Sequence, residues 1–119
     1  MAKTGQTSDA KTDFTQRRCK PCEGGVEPFT AAQIKQILPA LSGWEYLDGW
    51  LERTFKYADY YQTMAFVNMV AWLSHMENHH PDMEVGYNKV RIRYKTHAIN
   101  GLSENDFICA SKINKMLLL

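Results

Sequence analysis

At 119 residues the chain is long enough for one modest core and too short for two domains. Its 45% hydrophobic and 23% charged residues suit a globular fold, and a formal net charge of +1 gives no bulk attraction to nucleic acid, anionic membranes or acidic partners. No apolar run approaches the ~20 residues of a membrane span, so no membrane association is expected.

The opening stretch "MAKTGQTSDAKTDF" lacks an apolar core and a small-residue cleavage site, so a secretory signal is not expected. Three cysteines, Cys19, Cys22 and Cys109, are an odd number and suggest no disulfide framework; a reducing cytoplasm is the simplest setting. Residues 1–27 are polar and carry no periodicity, which reads as a flexible N-terminal tail, loosely pinned at its end, ahead of one domain over 28–119.

Within that domain "FTAAQIKQILPAL" begins with Thr30 as a helix cap and places Ile34, Ile37 and Leu38 at helical spacing up to Pro39. "GWEYLDGWLERTFKY" reads as a hairpin, Trp44–Leu47 and Trp50–Lys56, because Asp48-Gly49 suits the positive-φ pair of a tight turn. The long helix follows in "ADYYQTMAFVNMVAWLSHMENHH", with Asp59 as its cap and Pro81 forcing its end. Phe66, Val67, Val70, Ala71 and Ser74 form its expected buried face. A second hairpin turns near Tyr87-Asn88, and Val90, Ile92 and Tyr94 alternate with Arg91, Arg93 and Lys95 across its later strand. In the final helix Ser103 and Asp106 approximate a capping box, and Phe107, Ala110, Ile113 and Leu117 mark the apolar stripe. The order α-β-β-α-β-β-α predicts a two-layer α+β domain: a four-stranded antiparallel sheet with helices packed on one face.

Three of the four histidines fall in "HMENHHPDMEVGY". His75 and His79 have the i, i+4 spacing of zinc ligands on a helix, and His97 could be a third. A zinc protease motif needs glutamate directly after the first histidine; Met76 stands there and Glu77 follows, rotated by about 100°. Proton chemistry accounts for more of the pattern. His79 and His80 are expected in the last helical turn, where the macrodipole favours imidazolium, and His97 ends a strand that can converge on the same cleft. The reaction such groups suit is loss of a hydroxyl as water with proton transfer at a neighbouring atom. The residues alone leave a histidine-based site of open chemistry.

The set His75, His79-His80-Pro81, Tyr87, His97 and Asp106, with the nearly continuous "NHHPDMEVGYNKVRIRYKTHAINGLSENDF", resembles the pterin-4a-carbinolamine dehydratases, also known as dimerisation cofactors of a homeodomain transcription factor. The resemblance spans roughly residues 28–118 and implies the same fold. It implies dehydration of 4a-hydroxytetrahydrobiopterin to quinonoid dihydropterin, recycling the cofactor of an aromatic amino acid hydroxylase. His79 and His97 would be the acid–base residues, with His80 holding the pterin and sharing proton transfer. His75, Asn78, Pro81, Tyr87 and Asp106 would line the substrate site. No metal or organic cofactor is implied, and the partners implied are a reduced pterin, a hydroxylase and further copies of the chain in a homodimer or homotetramer. An interaction module with a coactivator-like regulatory role is the alternative. The chain departs from the commonest family pattern at His75, where glutamate is frequent, and at Asn78, where some members carry aspartate.

Asp106 also reads as a helix-start residue, and Tyr87 as ordinary aromatic packing. "CKPCEGG" has Cys-x-x-Cys spacing but neither the second pair of a structural zinc site nor the βαβ context of a redox motif. It reads as an accessory feature of the tail. Cys109 reads as a small buried residue. The basic strand face of Arg91, Arg93 and Lys95 reads as solvated or ion-paired, not as a nucleic-acid surface.

Overall fold

The computed structural model describes residues 13–118. Helix α1 (Ala31–Ile37) opens with a complete capping box between Thr30 and Gln33 and gives way to a 3₁₀ turn at Leu38–Ala40, where Pro39 cannot continue it. Strands β1 (Glu45–Leu47) and β2 (Trp50–Lys56) join through Asp48 and Gly49 at φ 50° and 85°, the two positive values of a type I′ turn. Helix α2 (Tyr60–Glu77) is capped by the Asp59 carboxylate, which accepts from the Gln62 backbone N–H at 2.8 Å. Strands β3 (Asp82–Val85) and β4 (Lys89–Tyr94) form the second hairpin, and helix α3 (Glu104–Met116) closes the domain.

The four strands are antiparallel in the order β1-β2-β4-β3, with β2 and β4 paired from Leu51↔Tyr94 to Lys56↔Lys89. Because side chains alternate, Leu51 and Phe55 of β2 and Val90, Ile92 and Tyr94 of β4 all turn to the helices. There they meet Phe66 and Val70 of α2 and Phe107, Ile108 and Ile113 of α3. The other face carries Glu52, Arg91 and Arg93, linked by Arg93 Nε–Glu52 at 3.2 Å and Arg91–Glu84 at 3.0 Å. This is the α+β architecture expected, and the basic strand face is ion-paired.

The buried stripe of α2 is rotated from the expected one. Thr63, Phe66, Val70, Leu73 and Glu77 are buried, Val67 and Ser74 are half-buried, and Ala71 is exposed. Hydrophobicity could not select Thr63 and Glu77, which are buried because both have partners. The Thr63 hydroxyl lies 2.8 Å from the Asp59 carbonyl and 3.0 Å from that of Tyr87. On α3, Phe107, Ala110 and Ile113 are buried as expected, but Leu117 falls at the exposed end.

Residues 13–27 lie against the domain, in contrast to the flexible tail expected; residues 1–12 of that tail fall outside the described range. Phe14 is 4% exposed, with its ring centroid 6.1 Å from that of Phe107. Asn105 receives the Lys20 backbone N–H at 3.0 Å and donates to the Lys20 carbonyl at 2.8 Å. Salt bridges from Arg17 and Lys20 to Glu104 add to this strap at 3.3 and 3.2 Å. A polar composition hid it because one buried ring and a few paired polar groups do the fastening. Phe14→Ala should therefore lower the unfolding free energy by about 3 kcal/mol, the scale for emptying a buried aromatic site. Denaturant unfolding of the full chain measures this, and an unchanged midpoint would mean the segment is loose.

Candidate active site

Helix α2 ends earlier than proline alone requires. Asn78 adopts the left-handed conformation at φ 53°, and the His79 backbone N–H reaches back to the Ser74 carbonyl at 3.1 Å. This is the pattern of a Schellman cap, in which asparagine tolerates the positive φ. His79 and His80 therefore lie beyond the helix, not in its last turn, and the i, i+4 grip with His75 does not form. His75 stays exposed on α2, with its ring 5.1 Å from that of Trp72, while His79 turns inward.

His79 is 6% exposed and Asp106 fully buried. His79 Nε2 lies 2.7 Å from Asp106 Oδ1, and its ring stacks on Tyr94 at 5.8 Å between centroids and 10° between planes. The second carboxylate oxygen accepts from the Thr96 hydroxyl at 2.7 Å and the Ser103 backbone N–H at 3.0 Å. Asp106 thus closes the capping box of α3, as expected, and holds the His79 imidazole with the same side chain. In the neutral tautomer that gives its Nε2 proton to Asp106, the lone pair of Nδ1 lies on the other side of the ring. Cys22 Sγ stands there, at 3.8 Å.

His80 is exposed, and Pro81 is buried beside it. His97 is exposed on the 3₁₀ turn His97–Ile99, its ring edge-on to Trp50 at 5.7 Å. Between the two histidine segments runs a cleft of about 490 Å³, lined by Lys20, Cys22, Glu77, Asn78 and Ala98 among others. The structure thus gathers Asn78, His79, His80, Pro81, His97 and Asp106 around one end of α2. Tyr87 is elsewhere. It is 65% exposed, and its carbonyl meets Thr63 in the first turn of α2, on the order of 20 Å from His79 at 1.5 Å of helix rise per residue.

Sequence reasoning missed Cys22, Glu77, Asn105 and Tyr94. The Cys-x-x-Cys spacing was a signal for the first, set aside because it stood in an apparent tail. In the sequence Glu77 stands out only as a displaced protease base. It proves to be a buried clasp, receiving Lys112 Nζ at 2.6 Å, the Cys19 N–H at 2.9 Å and Arg18 at 3.2 Å. Asn105 carries no pattern that separates it from an ordinary helix-start residue. Burial, with Cys109 beside it, pushes the Tyr94 phenol well above its usual range.

A family profile described as pterin 4 alpha carbinolamine dehydratase matches residues 27–116. The chain belongs to that family. A dehydratase relative from Nitrosomonas eutropha, provisionally so named, is 57% identical over 107 residues, covering 89% of this chain and 95% of its own. One from Legionella pneumophila (strain Corby), named in the same way, is 47% identical over 110 residues, covering 90% and 97%. The crystal structure of a transcriptional coactivator/pterin dehydratase from Brucella melitensis superposes with a TM-score of 0.72 at 30% identity, covering 76% of this chain and 98% of that one. This chain is therefore a pterin dehydratase family member in sequence and in fold, with the strap of residues 13–22 lying ahead of the matched region.

Burial is the largest influence on Glu77 and pushes its carboxyl up, but the Lys112 and Cys19 hydrogen bonds and the charges of Lys112 and Arg18 together hold it below its ordinary value of 4.5. A lowered folded-state pKa means that its stabilisation is complete above that value and is lost as pH falls through the folded-state value. Glu77→Gln should cost about 2 kcal/mol near neutral pH, the scale of hydrogen bonds to a charged group. Melting temperatures taken across pH should show the gap to the parent narrowing below 4.5.

Proposed function

We propose that this chain dehydrates 4a-hydroxytetrahydrobiopterin to quinonoid dihydropterin by histidine acid–base catalysis. The observation that carries the reading is the reach of Asp106. Its two oxygens bind His79 and Thr96, and those residues immediately precede the exposed His80 and His97. One buried carboxylate therefore fixes the residue next to each of two exposed histidines, in segments whose Asn78 and Ala98 line the cleft.

The reaction needs one proton delivered and one removed. The hydroxyl on carbon 4a departs as water, the adjacent ring nitrogen gives up its proton, and a carbon–nitrogen double bond forms between them. Two imidazoles suit that exchange, one as acid and one as base. His80 and His97 have the exposure to meet a flat substrate. His79 has one ring nitrogen on Asp106 and the other toward Cys22, so it acts from behind as a positioning residue. This shifts direct proton transfer from His79 to His80 relative to the roles the family resemblance implied. Asn78 and Ala98 offer the substrate a wall at the cleft.

The wider reading is a cytoplasmic, metal-independent enzyme that recycles the pterin of an aromatic amino acid hydroxylase and assembles as a homodimer or homotetramer. Three free thiols support the compartment. Self-association is supported by α2, whose outer side exposes Tyr61, Trp72 at 62% and Met76.

Stopped-flow dehydration of chemically generated carbinolamine tests the roles. His97→Ala and His80→Ala should each lower kcat by roughly 100-fold, the lower range for losing a general acid or base. Rates within threefold of the parent in both variants would sink the assignment. Asp106→Asn should lower kcat at least tenfold with the fold retained by circular dichroism, since an amide favours the other imidazole tautomer. Chelator should leave the parent rate unchanged.

A further inference from the structure

Dehydration leaves Cys22 without a task, although its sulfur faces both an imidazole and a side-chain amide. His79 Nδ1 lies 3.8 Å from Sγ, and His79 Nε2 is held at 2.7 Å by Asp106. Asn105, fully buried, points its amide nitrogen at the same sulfur from 3.7 Å. Thiol, imidazole and carboxylate stand in the order of a nucleophile, its base and the group that orients the base. Cys22 is half-buried and forms part of the wall of the cleft, so a small molecule can reach it.

We propose that Cys22 is a reactive thiol that takes small-molecule disulfides, with His79 as its base and Asp106 as the residue that positions His79. As Sγ attacks one sulfur of the disulfide, its proton passes to His79 Nδ1, and the Asn105 N–H steadies the charge on the sulfur. The sulfur–sulfur bond of the reagent breaks and a new one forms on Cys22. The departing thiolate takes the proton back from His79, so the products are a mixed disulfide on Cys22 and one free thiol. The group attached there stands in the cleft, near Asn78 and Ala98.

The neighbouring thiols show why the chemistry belongs to one of the three. Cys19 Sγ lies 3.7 Å from Cys109 Sγ. That hydrogen bond, then burial, then the charges of Cys109 and Glu77 push the Cys19 thiol far up, so it stays protonated. Cys109 is fully buried in the core. Neither has an imidazole within hydrogen-bonding distance among the described residues.

The test uses the full chain, oxidised glutathione as probe, and peptide mass spectrometry at early times, with no pterin present. Success or failure is thus separate from the dehydratase reading. The first adduct should map to Cys22 and form about tenfold or more faster than on free cysteine at the same pH, a modest share of what a positioned base supplies. Cys22→Ser should abolish the fast adduct, and His79→Asn should slow it about tenfold. Because His79→Asn alters a buried residue, the parent protein decides. A first adduct on Cys19 or Cys109, or a rate no greater than that of free cysteine, overturns the proposal.

Discussion

A carboxylate with no access to water must be satisfied by protein, and Asp106 is satisfied from three directions: His79 after α2, Thr96 after β4, and the Ser103 backbone at the head of α3. The first two arrive from separate parts of the chain and meet at a helix start already suited to negative charge. Breaking one such buried pairing by removing a partner costs on the order of 3–5 kcal/mol, so the three segments are held as a unit. The exposed His80 and His97 are the next residues along from two of the three bonded partners.

The strap formed by residues 13–22 gives the buried pair a second side. Without it, His79 Nδ1 would face the cleft; with it, Cys22 comes between. Glu77 and Asn105 fasten the strap at two points, one on α2 and one on α3, through hydrogen bonds to the Cys19 and Lys20 backbone. The cleft is therefore walled in part by a segment that lies ahead of the family-matched region, and its lining includes Cys22.

Much of this was legible from residue order. Asp48-Gly49, the Asp59 cap, the alternation along β4 and the Ser103–Asp106 box each rest on local rules, and each took its expected form. The errors share another origin. Thr63 and Glu77 are buried by virtue of partners 24 and 35 residues away, which no helical periodicity can register. The end of α2 was misplaced because Pro81 is a louder signal than a left-handed asparagine three residues earlier. That small error changed the site, for it put His79 and His80 on a helix face instead of beyond the helix, one buried and one exposed. The strap was misread because composition reports average polarity, whereas Phe14 and Cys19 act singly.

The strap also sets an order of events. Cys19 meets Cys109 across 90 residues of chain, and Lys20 meets Asn105 across 85. At a synthesis rate of ~5–20 residues per second, the earlier partner of each pair waits on the order of ten seconds before the later one leaves the ribosome. Through that interval residues 13–22 have Glu77 of α2 to lie against but not Glu104, Asn105 and Phe107, which have yet to appear. The final helix brings Asp106, Asn105 and Lys112 together. The fastening of the cleft thus waits for the last helix, and a chain interrupted before residue 104 carries its histidines with no Asp106 to aim them.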